Sequence, residues 1–223
     1  MNALELTGRA RSHVVDVPDL HCTLHRDVVA ALRALSYAAW SEARIELAAV
    51  SAFRDFDRQC AIWNAKWRGE RPLLDRAGRE LDPATLDPDA RIDAILAWSA
   101  LPGASRHHWG TEIDVIDRAA VPAGYRPQLV PQEYAPGGVF RALDEWLTAS
   151  MDRFGFYRPY TRDLGGVQPE PWHLSFGAMA RPAAAALTVD VMTEAIAGAD
   201  VEGKARVIER MEEIRERYVQ RTG

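Results

Sequence analysis

The chain of 223 residues has only two cysteines, Cys22 and Cys60. Two thiols cannot build a disulfide framework, so both are expected to be reduced and the fold to rest on its apolar core. No stretch reaches the ~18 consecutive apolar residues of a helical membrane span, so no such span is expected. The first residues, Met1 to His13, hold no basic segment followed by an apolar run. No secretory leader is read there, and a cytoplasmic location is expected. Positive charge is also in short supply, with 27 Lys and Arg against 32 Asp and Glu, a net charge of -5 and a sequence pI near 5.7. Nucleic acid is therefore not expected as the main partner, because phosphate binding needs clustered cations. Internal repeats and low-complexity tracts are absent.

The residues present are those of an ordinary globular protein, 48% hydrophobic and 26% charged, enough for one core-bearing domain. Helical spacing of Val28, Leu32, Leu35 and Ala39 predicts a helix from Leu24 to about Ala43. Alternation predicts a strand over 44–50, and a second amphipathic helix follows from Asp55 to Trp67. Residues 68–88, rich in charge, Gly and Pro, read as a loop or flap. Asp87 as cap and Pro88 at the first position start a helix running to Leu101. Glu112 to Ile116 reads as a strand, 118–138 as an irregular connection, Val139 to Phe154 as a helix and Trp172 to Phe176 as a strand. The rest is helical, broken near Gly198 and Gly203, with Val207, Ile208, Met211, Ile214 and Tyr218 as an apolar stripe. Helices and short strands mix without strict alternation. The fold class is therefore α+β, a small antiparallel sheet flanked by helices, with an extra C-terminal helical segment.

Two stretches carry the chemistry. The first contains Ser105, His107, Gly110, Glu112 and Asp114; the second contains Glu170, Pro171, Trp172 and His173. His107, Asp114 and His173 supply two imidazoles and a carboxylate, the ligand type and number of an open zinc site. Gly110 lets the chain turn between His107 and the strand bearing Asp114, whose neighbours Ile113 and Val115 point the other way into the core. Glu170 sits three residues before a ligand, where a general base would act, and Pro171 restricts it to extended backbone. His108 is read as pointing away from the metal. His21, Cys22 and His25 look metal-like but lack further ligands nearby, and are read as structural.

This pattern resembles the signature of the M15 zinc D-Ala-D-Ala carboxypeptidases and dipeptidases of the VanY/VanX kind. The group also includes L,D-carboxypeptidases, phage endopeptidases and the hedgehog signalling domain. Ser51, Phe53, Arg54 and Gln59 match an upstream motif of the family, so the resemblance spans about 51–176. It implies that His107, Asp114 and His173 bind Zn2+, that Glu170 is general base and then acid, and that Arg54 stabilises the oxyanion. Ser105 and Gln59 would hydrogen-bond the substrate's terminal carboxylate or backbone. The implied domain is 1–188, with its motif-bearing core at 44–177 and a helical appendage, 189–223, packed on it. One position departs: many members carry a small residue where this chain has Glu112. Sharing a strand face with Asp114, it would either border the site and contact a substrate amine or be displaced to solvent by strand twist.

The reaction expected is metal-assisted hydrolysis of an amide bond in peptidoglycan stem peptides or muropeptides, releasing a C-terminal D-residue. A cytoplasmic member would process recycled material, so L,D-carboxypeptidase action on tetrapeptides is placed ahead of D,D-carboxypeptidase or dipeptidase action. A phage-type endopeptidase and a catalytically silent zinc-stabilised binding module are the alternatives, the latter disfavoured by the presence of both Glu170 and Arg54. The oligomeric state is left open. Ligand histidines must be neutral, so zinc affinity should fall as pH drops below about 6. Competition with a colorimetric chelator across pH measures this; an affinity flat from neutral pH to below pH 6 would contradict histidine ligation.

Overall fold

The computed structural model describes residues 1–223 and divides them between a sheet half and a helical half. The N-terminal half opens with α1 (Ala3–Leu6), the hairpin β1 (Val14–Val17) and β2 (Cys22–His25), then α2 (Val29–Ala43), β3 (Leu47–Ser51) and α3 (Phe56–Trp67). A second hairpin, β4 (Leu73–Leu74) with β5 (Glu80–Leu81), leads to α4 (Pro88–Leu96) and β6 (Glu112–Asp117). The chain continues through α5 (Pro131–Tyr134), α6 (Arg141–Ser150), β7 (Phe156–Tyr157) and β8 (His173–Phe176). It closes with α7 (Gly177–Ala186), α8 (Val189–Ala197), α9 (Lys204–Glu209), α10 (Met211–Ile214) and a π-helical turn, Arg215–Gln220. No helix is long and apolar enough to cross a membrane.

The main sheet is antiparallel with strand order β3-β6-β8-β7. All six residues of β6 are buried, as befits a strand paired on both sides. Its alternate residues face different surroundings. Ile113 and Val115 join Leu174, Leu32, Leu35, Phe140 and Leu147 in one apolar core. Glu112 and Asp114 take the opposite face. The α+β class and small antiparallel sheet are as expected.

A second core fills the helical half around Phe56, Trp63, Ile95 and Trp109. Met192, Ile196, Val207, Met211, Ile214 and Tyr218 belong to it, so the C-terminal segment packs on the rest of the molecule through a shared core. Trp63 donates to the carbonyl of Glu202 (3.0 Å) and Asn64 to that of Asp200 (2.8 Å), tying α3 to the turn before α9. Gly203 adopts φ 69°, and a Cβ there would lie 2.3 Å from the Trp67 ring.

Several boundaries differ from the sequence reading. The helix expected from Leu24 begins at Val29, and Leu24 lies in β2. Leu24 and Val28 are both fully buried, so burial in the hairpin imitates helical spacing, and no capping side chain marks the true start. The segment 68–88 is an anchored hairpin, not a free loop: Trp98 donates to the Asp75 carbonyl at 2.9 Å and Arg76 pairs with Asp163. Thr188, whose side chain accepts from the Val191 amide, adds a helix break that was not read. Trp63→Ala should cost about 3–5 kcal/mol in a single urea transition that carries the whole helical signal. Selective loss of the C-terminal helices, with the sheet half still folded, would contradict a shared core.

Candidate active site

Register places the first two ligands. β6 and β8 pair so that Asp114 lies opposite His173, Ile113 opposite Leu174 and Glu112 opposite Ser175. Polar partners thus line one face and apolar partners the other. His107 arrives from a short 3-10 turn, Arg106–Trp109, that ends at Gly110 with φ 66°. A Cβ on Gly110 would sit 2.6 Å from the His25 amide nitrogen, so glycine is required both for the turn and for its seat against β2. One ligand atom from each of His107, Asp114 and His173 can lie within 4.8 Å of the others, and all three residues are buried.

Hydrogen bonds fix which nitrogen faces the centre. His107 Nδ1 is 2.7 Å from the Ala52 carbonyl. A carbonyl only accepts, so Nδ1 carries the proton and Nε2, 3.3 Å from Asp114 Oδ2, is left with its lone pair. His173 is reversed. Its Nε2 lies 2.8 Å from Glu112 Oε2, and its Nδ1 lies 3.0 Å from Asp114 Oδ1 and 3.5 Å from Glu170 Oε2. Burial opposes charge on His173, but Asp114 and Glu112 override it and push the imidazole up to about 10. Three carboxylates therefore converge where a cation is favoured. Two inward-facing imidazole nitrogens and a carboxylate oxygen suit a zinc ion in the place of that proton.

Glu112 is not at the cleft surface, contrary to both sequence alternatives. It has no exposed area and lies behind His173 among Arg106 (Nε at 3.4 Å), Ser175 Oγ (2.8 Å) and Thr111 Oγ1 (3.0 Å). Strand alternation did put it on the face of Asp114, but the side chains of His173, Ser175 and Arg106 close over it at this point. Burial raises its carboxyl; Arg106 and the His173 hydrogen bond outweigh this and bring it down to about 2. Arg106 also donates to Tyr157 Oη (2.8 Å) and Ser175 Oγ (2.9 Å). Sequence reasoning missed this layer, although Ser175, two residues after His173 in a strand, was legible by alternation. A carboxylate behind a ligand imidazole fixes its tautomer and orientation.

Gln59 is corrected as well. It is fully buried in the first turns of α3, donating to the Ala100 carbonyl (2.7 Å) and accepting from Arg54 Nη1 (2.7 Å). With Ser51, which accepts from Nη2 at 2.9 Å, it holds the Arg54 fork. It therefore meets Arg54 rather than substrate. Arg54 lines a cleft of about 730 Å³ with His107, Asp114, Glu170, His173 and Ser105. The Ser105 hydroxyl makes no contact that caps its turn. Burial raises the Glu170 carboxyl to about 7, with His173 and Arg54 pulling it back. His108 points away from this centre: its Nδ1 meets the Arg54 carbonyl (2.6 Å) and its Nε2 accepts from the Gly103 amide (3.1 Å). Burial lowers its pKa to about 3, so it is a neutral strut beneath Arg54.

The C-terminal segment braces the loop that carries Glu170. Arg217 donates to the Gly165 carbonyl (3.0 Å) and Arg221 to that of Leu164 (3.1 Å). Ile214, Tyr218 and Val219 reach the cleft wall.

A buried His-Asp-His set beside a carboxyl poised near neutrality defines a metal-dependent hydrolase centre. Comparison with known proteins gives the family. Residues 21–179 match the VanY model, D-alanyl-D-alanine carboxypeptidase, and the chain belongs to that family of zinc metallocarboxypeptidases. Two uncharacterised proteins of Haemophilus influenzae are similar. One is 35% identical over 121 residues, covering 53% of this chain and 92% of that protein. The other is 43% identical over 99 residues, covering 43% and 67%. Among solved structures, a zinc complex of the vancomycin-resistance D,D-pentapeptidase VanY aligns with TM-score 0.52 and 20% identity, covering 80% of this chain and 86% of that one. The LdcB LD-carboxypeptidase aligns with TM-score 0.53 and 22% identity, covering 83% and 78%. These two likenesses show the fold.

Glu112→Ala should weaken zinc binding about 10- to 100-fold and cost about 3–5 kcal/mol of stability, because Arg106 is left buried without its partner. Chelator competition and urea melts measure the two losses. Zinc affinity equal to the wild type would remove Glu112 from the support of His173.

Proposed function

We propose that this protein is a zinc carboxypeptidase that removes the C-terminal D-residue from peptidoglycan stem peptides. The observation that carries the proposal is Glu170, half-buried and 3.5 Å from His173, on the same cleft as His107, Asp114 and Arg54. His107, Asp114 and His173 would hold the metal. Zinc, when bound, supplies a Lewis acid for the scissile carbonyl and brings the pKa of water towards neutrality.

The protein's own groups do the rest. Glu170 takes a proton from the attacking water at a carboxylate oxygen. Its pKa near neutrality suits it to accept that proton and then give it to the departing amine as the C–N bond breaks. Arg54, fixed at both Nη atoms by Gln59 and Ser51, presents a preorganised cation to the oxygen that gains negative charge. Ser105 offers a hydroxyl to the terminal carboxylate of the substrate.

Within this class we favour L,D-carboxypeptidase action on tetrapeptides released during cytoplasmic murein recycling. Cys22 and Cys60 are both free thiols, which suits a reducing compartment. D,D-carboxypeptidase action on pentapeptides is the second reading, favoured by the matched family's own description. Tetrapeptide and pentapeptide muropeptides incubated with the zinc-loaded protein and analysed by mass spectrometry separate the two. Loss of D-Ala from the tetrapeptide is expected, and cleavage of the pentapeptide alone would overturn the L,D assignment. Glu170→Gln should lower kcat at least ~100-fold with zinc content unchanged; full activity in that variant would remove Glu170 from the reaction.

A further inference from the structure

The chemistry above leaves one charge on the cleft wall without a task. Lys66 lies in the last turn of α3 and lines the cleft. The chain contains just two lysines. The other, Lys204, is occupied, donating to the carbonyls of Ala197 (3.0 Å) and Ala199 (2.8 Å). Lys66 has neither a hydrogen bond nor an ion pair. Arg71, beside it on the same wall, also lacks a carboxylate partner. The other arginines on the lining are engaged: Arg54 with Gln59 and Ser51, Arg76 with Asp163 and Arg106 with Glu112.

The acidic residues on the lining are Asp114 and Glu170, and both are committed to the reaction. A metal dication would make the cleft more positive still. Desolvation lowers the Lys66 ammonium to about 8, with Glu170 pulling the other way and Arg71 and Arg54 adding to the fall. A cation held half-buried on the cleft wall without a partner in the protein leaves its charge unbalanced. It is resolved by an anion brought in by the ligand, and Lys and Arg together suit a carboxylate.

We infer that Lys66, assisted by Arg71, forms a carboxylate-binding subsite of this cleft. The inference rests on the carboxypeptidase reading. A stem peptide has two sources for that carboxylate: its C-terminus and the side chain of the residue before the scissile bond. Ser105 and Arg54 already serve the terminal residue and the carbonyl, so the arrangement favours the side chain, as in diaminopimelate. Diaminopimelate ends in a carboxylate beside its ammonium, whereas lysine would present the ammonium alone to Lys66 and Arg71. The subsite therefore selects the acidic stem.

The test uses the full, zinc-loaded protein and two tetrapeptides that differ only in carrying diaminopimelate or lysine as third residue. Binding is measured by calorimetry in the Glu170→Gln background, so it does not depend on turnover; KM and kcat are measured with Glu170 in place. Lys66→Met should weaken binding of the diaminopimelate peptide and raise its KM about 10-fold. It should leave kcat and zinc content within about twofold and narrow the preference over the lysine peptide, while Lys66→Arg restores most of the affinity. An equal loss on both peptides overturns the side-chain assignment and gives Lys66 to the terminal carboxylate. Unchanged affinity on both overturns the subsite. Failure of the wild type to cleave either peptide would instead defeat the carboxypeptidase reading, and the binding comparison would still report on Lys66.

Discussion

β6 and β8 pair with Asp114 opposite His173, and the centre of the molecule depends on that register. A slip of one residue would exchange the faces. If β8 slipped, Leu174 would enter the cleft and His173 the apolar core, while Asp114 stayed on the polar face without its partner. The core formed by Leu32, Leu35, Phe140 and Leu147 thus does more than stabilise the sheet. By holding Ile113, Val115 and Leu174 it fixes which face is polar, and so which residues can meet a metal and a substrate.

On that polar face the electrostatics form layers. Arg106 sits deepest, against Glu112; Glu112 holds His173; His173 stands beside Asp114 and Glu170. Negative charge is buried ahead of the metal, and that is costly without a compensating cation. Arg106 provides part of the compensation from behind, and the structure leaves the rest to be supplied from the cleft side. The helical half closes the opposite wall. It carries Lys66 on α3, and its C-terminal arginines brace the 164–165 loop ahead of Glu170. The C-terminal helices that contribute to the core thus also contribute Ile214, Tyr218 and Val219 to the cleft wall.

Residues whose neighbours in sequence are also their neighbours in function were readable without coordinates. His107, Asp114, His173 and Glu170 announce themselves by type and spacing, and the structure brings all four to one cleft. The strands carrying Asp114 and His173 were readable because period-two alternation survives at β6 and β8. Roles set by tertiary burial were not legible. Glu112 and Gln59 look like candidates for substrate contact, yet each has no exposed surface and acts on another side chain, His173 or Arg54. Arg106 lies between two motif residues, and only the packing of β7 against β8 shows that it meets Tyr157 and Ser175. The β1–β2 hairpin escaped notice because Leu24 and Val28 carry helical spacing into a segment that is extended.

The central claim is that His107, Asp114 and His173 form one metal site whose histidine faces are set by Ala52 and Glu112. A crystal structure of the zinc-loaded protein, with anomalous data collected at the zinc edge, tests it most directly. One strong peak is expected, contacted by His107 Nε2, an Asp114 carboxylate oxygen and His173 Nδ1, with Glu112 still bonded to His173 Nε2. A peak at any other residues, or a His173 turned to present Nε2 to the metal, would contradict the account.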